Sequence, residues 1–93
     1  MIYDLDCRYD ARQSFYGKAK VEEKQYDNFV CYILYSYGTD VASIERYNNG
    51  MVIYLYNGKY SQTTTRHQKE FFKQNGLSNY EITELFKEGI LCI

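Results

Sequence analysis

The sequence predicts an α+β domain: an antiparallel β-meander of about five strands followed by two helices packed on one face. Three observations predict it. Apolar residues recur at every second position up to about Gln62 and at every third or fourth position after it. Asn49-Gly50 and Asn57-Gly58 interrupt the alternating part, and Asn-Gly tolerates the positive φ angles of a type I′ hairpin turn. Ser78-Asn79-Tyr80-Glu81 spells a capping box ahead of Ile82, Leu85 and Phe86, which recur at helical spacing. A chain of 93 residues has room for one hydrophobic core, so residues 1–93 are expected to form a single domain.

Taken in order, Met1 to Gln13 is an irregular lead-in with a short strand, docked by Ile2, Tyr3, Leu5 and Tyr9 while Asp4, Asp6 and Asp10 stay wet. Ser14 to Lys24 is a strand with Phe15, Ala19 and Val21 on its buried face and Gly17 marking a bulge. Gln25-Tyr26-Asp27-Asn28 turns the chain into Phe29 to Tyr37, whose nearly continuous apolar run marks a strand central in the sheet or covered on both sides. After Gly38-Thr39-Asp40, Val41 to Tyr47 and Met51 to Tyr56 are the third and fourth strands. Lys59 to Gln62 is a short fifth strand, with Lys59 guarding an edge.

The first helix is nine or ten residues long and ends at Gln74. Thr64 or Thr65 is the expected N-cap, with Gln68 completing a capping box from Thr65, and Asn75-Gly76 is the stop. Thr64, His67, Gln68, Phe71 and Phe72 face inward; Arg66, Lys69, Glu70 and Lys73 are expected in water. The second helix ends at Gly89, and Ile90 to Ile93 is too apolar for solvent, so it tucks against the sheet or a partner chain.

Eleven basic and 12 acidic side chains give a net charge of -1, which excludes binding of a polyanion by charge alone and excludes a strongly acidic nucleic-acid mimic. No apolar run is long enough to span a bilayer, and Asp4 and Asp6 stand where a signal peptide needs basic and apolar residues. Cys7, Cys31 and Cys92 are odd in number and widely spaced, which fits free thiols in a cytoplasmic protein. Twelve tyrosines, against no Trp and no Pro, fit pleated strands and also interfaces, where the ring gives contact area at little entropic cost.

No catalytic set is spelled out, and no enzyme activity is expected. His67 is the one histidine and reads as a helix-face residue against the sheet. A structural zinc could recruit His67 with Cys7, Cys31 or Cys92, though recognisable zinc sites pair their ligands at short spacing; no cofactor is expected. Tyr16, Lys18 and Lys20 alternate with Tyr9, Arg8 and Arg12 nearby, so a Tyr/Lys sheet face that stacks single-stranded bases is the alternative function. Asp10, Glu22, Glu23 and Asp27 lie among these cations, as on an ordinary mixed-charge surface.

Two stretches carry a resemblance. Tyr9-Asp10-Ala11-Arg12-Gln13-Ser14-Phe15-Tyr16-Gly17-Lys18-Ala19 is similar to the motif YDxRxSFYxKA, and Tyr60 to Gly76 is similar to YSxTTxRHxKEFxxQNG. Both belong to a small domain family of phages and mobile elements of Gram-positive bacteria. If the two segments meet, Tyr9, Asp10, Arg12 and Ser14 tie the lead-in to the start of the first helix. The phage setting implies an anti-defence role. The protein would be an anti-CRISPR that binds a host effector, a Cas9-type nuclease with its guide RNA, and blocks nucleic-acid loading or cleavage. Tyr9, Asp10, Arg12, Tyr16, Lys18, Lys20 and Arg66 are the residues that this reading places at the partner surface, on a monomer or small homo-oligomer in the host cytoplasm.

Overall fold

The computed structural model describes all of residues 1–93. Its sheet has six antiparallel strands in sequence order: β1 (Ile2–Asp4), β2 (Ala19–Gln25), β3 (Phe29–Ser36), β4 (Thr39–Tyr47), β5 (Val52–Tyr56) and β6 (Ile90–Cys92). Two helices, α1 (Gln62–Gln74) and α2 (Asn79–Glu88), lie between β5 and β6. The α+β meander with a helical pair is therefore as expected, with one strand more. No helix is long and apolar enough to cross a membrane.

The registers decide which parity is buried. Val21, Leu34, Ala42 and Tyr56 form one row across β2–β5, and Tyr32, Ile44, Tyr54 and Leu91 form the next across β3–β6. Phe71 and Phe72 of α1 and Ile82 and Leu85 of α2 close over these rows and complete the core. Phe86 extends it, its ring stacked on Tyr56 with centroids 4.1 Å apart. β3 is central, as its apolar run implies, but its other face has no cover. There Lys24, Cys31, Glu45, Ile53 and Cys92 form one row, and Glu22, Ile33, Ser43, Leu55 and Ile90 another.

Several expectations are corrected. Lys59 to Gln62 forms no strand: Gln68 donates its amide to the carbonyls of Gly58 and Val41, 3.0 Å each, and draws the chain off the sheet into α1. The edge beside β5 goes instead to Ile90–Cys92. Ser14 to Lys18 is not strand either; it is loop and turn, with Gly17 at φ +73 in the turn rather than in a bulge. The N-cap of α1 is Ser61, whose hydroxyl accepts from the Thr64 amide at 3.1 Å. Thr64 faces inward and Thr65 donates back to the Ser61 carbonyl, so no capping box forms from Thr65. Finally, Glu70 is buried, because the lead-in crosses the side of α1 that a helical wheel leaves open.

Asn57-Gly58 makes no hairpin, since α1 and not a strand follows it, and neither Asn49 nor Asn57 takes the positive φ of a type I′ turn. The helix-end signals hold. Asn75 caps α1, Ser78 and Glu81 make both bonds of the capping box, and Gly89 closes α2 at φ +82. The lead-in docks differently from expectation: Leu5 is buried and anchors it, Ile2, Tyr3 and Tyr9 are exposed, and Asp10, expected in water, is largely covered where it meets Arg66.

Candidate functional site

The two motif segments do meet. The backbone amides of Tyr9 and Asp10 donate to one Glu70 carboxylate oxygen at 2.9 and 2.8 Å, and Gln74 donates to the other at 2.7 Å. Asp10 in turn accepts from the Arg12 amide at 2.9 Å and pairs with Arg66 at 3.2 Å. A buried carboxylate needs such donors, and here they fix the path of residues 6–12 along the helix.

Past that clamp the chain makes a tight turn. Lys18 donates its amide to the Phe15 carbonyl at 3.0 Å, with Tyr16 at φ +54 and Gly17 at φ +73 between them. The β3–β4 hairpin repeats the shape, with Tyr37 at φ +51 and Gly38 at φ +81 between the paired Ser36 and Thr39. The Tyr37 amide donates to the Lys18 carbonyl at 2.8 Å and joins the two turns. Asparagine or glycine fits the first position of such a turn; tyrosine there costs about 1–2 kcal/mol. Two tyrosines are held in this strained state side by side, and such strain concentrates at functional sites. Tyr37→Asn is expected to relax its turn and raise the urea midpoint by the equivalent of up to about 1 kcal/mol; a lower midpoint would show that the ring contributes more than the backbone costs.

Between the two turns and α1 lies a cleft of about 190 Å³, lined by Arg12, Ser14, Phe15, Tyr16, Lys18, Tyr37, Thr63 and His67. It holds two cations and no carboxylate. Next to it is a wider depression of about 560 Å³ on the uncovered sheet face, sharing Lys18 and Tyr37 and including Ile2, Lys20, Glu22 and Tyr35.

His67 is the deepest polar group here. Its Nδ1 lies 2.8 Å from the Ser36 hydroxyl, which lies 2.9 Å from the Thr64 hydroxyl. Ser61 donates to Thr64. That leaves the Thr64 proton for Ser36 and the Ser36 proton for Nδ1. With that direction of the relay we assign Nδ1 as acceptor and the ring proton to Nε2, the ring nitrogen that makes no bond within the protein. Phe15 packs edge-on against the ring at 4.5 Å. Burial lowers the His67 pKa below its ordinary value, partly opposed by Asp10.

The folded-state pKa therefore lies below the unfolded one, and acid protonates the unfolded chain first. Stability from this group is full above about pH 6.5 and is lost as pH falls toward the folded-state value. The urea midpoint is expected to drop between pH 7.5 and 5.5, and less so in His67→Gln. Equal slopes for the two proteins would contradict a neutral buried ring.

The chain belongs to the Family of unknown function DUF8033. The family model matches residues 3–88, which takes in both motifs, every strand but the last and both helices. No curated protein and no solved structure matches the chain.

The residues expected at the partner surface fall into three places. Arg12, Tyr16 and Lys18 line the cleft. Tyr9, Asp10 and Arg66 gather at the clamp with Lys69 and Lys73. Lys20 lies on the sheet face, 2.6 Å from Asp4. The four candidate zinc ligands do not converge: Cys31 and Cys92 share a row with two strands between them, Cys7 is on the lead-in, and His67 bonds to Ser36. Burial also raises the Cys7 and Cys31 thiol pKa values, which keeps those thiols protonated and weakly nucleophilic. Sequence reasoning missed Tyr37 and Ser36. The available signal was the pair of Tyr-Gly dipeptides, Tyr16-Gly17 and Tyr37-Gly38, each standing where an unstrained turn would have Asn-Gly.

Proposed function

We propose that this domain is a non-enzymatic binding module that docks on a protein through its uncovered sheet face, and that in a phage setting the partner is a Cas9-type nuclease. The observation that supports docking is the composition of that face. Phe29, Ile33, Ile53 and Leu55 lie along it without a covering helix, and Ile2 and Ile90 at its two edges are 61% and 51% exposed. Tyr26, Phe29 and Tyr47 add a stacked row of rings, with centroids 4.7 and 4.8 Å apart.

Two apolar stripes on β3 and β5 flank Ser43 and Glu45 of β4, a mixture of apolar and polar groups that suits a protein interface. The charge on the face is mixed in sign: Lys20 pairs with Asp4 and Lys24 with Glu22, while Tyr35 and Tyr47 donate to Glu22 and Glu45. Those carboxylates favour a protein over a bare phosphate backbone across the face as a whole. The choice of effector rests on the motif resemblance to phage and mobile-element domains. The mechanism is occlusion, with the face covering the nuclease surface that loads guide or target.

The test is retention of the purified domain on guide-loaded Cas9-type nucleases from Gram-positive hosts, together with a target-cleavage assay. Capture with loss of cleavage, abolished by Ile33→Lys or Ile53→Lys in a folded variant, is the expected result. Absence of capture on every nuclease tried, or capture indifferent to both substitutions, discards the reading.

A further inference from the structure

We propose that the cleft and the depression beside it bind a nucleoside monophosphate, with the phosphate in the cleft and the base in the depression. The cleft lies off the docking face, but the depression shares Ile2, Lys20, Glu22 and Tyr35 with its edge, so a bound nucleotide and a docked protein would compete there.

The cleft is built for a small anion. Arg12 and Lys18 are the two cations on it, and neither has an acidic partner, whereas Arg8, Lys20, Lys24 and Arg66 each do. Lys59 and Lys69 make a second such concavity beside α1, also without a carboxylate; the cleft at Arg12 and Lys18 differs from it in having the buried His67 on its wall. Thr63 brings the first turn of α1 to the cleft, a turn that holds no acidic residue. The helix end therefore adds positive potential to that of the side chains. His67 adds a neutral donor, 1% exposed and fixed by the Ser36–Thr64 relay so that Nε2–H is the proton it offers. Neutral and cationic donors converging on one small space are the usual means of holding a phosphoryl group.

The depression is of a different kind. Its volume, about 560 Å³, is in the range of small-ligand sites. Tyr35, Tyr37 and Ile2 offer flat or apolar surface for a base, and Glu22 and Lys20 offer an acceptor and a donor for its edge. Glu22 also sets the polarity of the ligand: a carboxylate in the depression repels the phosphate and leaves it the cleft. Lys18 and Tyr37 line both spaces, so one ligand can occupy them together.

A phosphorylated nucleoside has two sources, a free mononucleotide and the 5′ end of a strand. Calorimetric titration of the full chain separates them, using inorganic phosphate, the nucleoside 5′-monophosphates, and a short single strand with and without a 5′-phosphate. A nucleotide or the phosphorylated strand is expected to bind at least about tenfold tighter than inorganic phosphate, and the stronger of the two names the source. Arg12→Gln and Lys18→Gln, both at exposed positions and checked for unchanged melting, are each expected to weaken binding by about tenfold; Lys87→Gln, on α2, leaves it unchanged. The proposal is overturned if no phosphate probe gives saturable heat, if removing the 5′-phosphate changes nothing and mononucleotides do not bind, if inorganic phosphate binds as tightly as every nucleotide, or if the two cation variants bind like the wild type.

Discussion

Phe72→Ala is expected to lower the stability of the domain by about 3–5 kcal/mol, read as a fall in the urea midpoint at constant slope. Phe72 is fully buried and touches every layer: its ring meets Tyr54 of the sheet and Phe86 of α2 at 6.4 Å each, and Phe71 on its own helix at 5.4 Å. Truncation removes the transfer free energy of the ring and leaves a void between elements that cannot all collapse into it. Domains of this size are stable by about 5–15 kcal/mol, so the variant lies near the edge of folding at room temperature. The informative comparison is Phe29→Ala. Phe29 is an equally large ring, half-buried on the uncovered face and stacked between Tyr26 and Tyr47. Its loss should cost much less, because water already reaches it. Equal costs at the two positions would mean that the second face is buried in solution, and the docking surface argued above would already be occupied.

The fold was legible where local chemistry decides. Alternation placed β3, β4 and β5, Asn49-Gly50 placed the turn between the last two, and Ser78 with Glu81 placed the start of α2. It was obscure where a distant segment decides. Nothing near Lys59 reports that Gln68, on the helix ahead, will hold the Gly58 and Val41 carbonyls. Nothing near Glu70 reports that residues 9 and 10 will cross it, so a helical wheel places this charged residue in water. The same limit applies to the site. The motifs name Arg12, Tyr16, Lys18 and His67, yet Tyr37 and Ser36 come from a hairpin that neither motif contains and join the others through the β2–β3 pairing.

Glu70→Ala is expected to free the lead-in from α1 and to cost about 1–3 kcal/mol, the penalty for donors that lose their acceptor. One carboxylate holds the Tyr9 and Asp10 amides and orients Gln74, which donates to the Asp6 carbonyl at 2.8 Å. Through Asp10 the same carboxylate sets the position of Arg12, whose amide bonds to the Asp10 side chain. Removing it should therefore raise hydrogen exchange at the Tyr9 and Asp10 amides and speed tryptic cleavage after Arg8 and Arg12, while the exchange of β3 amides changes only by the global loss of stability. Glu70→Gln separates charge from geometry. It keeps a carbonyl oxygen for the two amides, so it should fall between wild type and Glu70→Ala in exchange. Because Arg12 lines the cleft and Glu70 does not, Glu70→Ala should also weaken phosphate binding without removing a cation. Unchanged exchange at residues 9 and 10 would show that the lead-in is held by Leu5 packing alone, and that the carboxylate has no part in shaping the cleft.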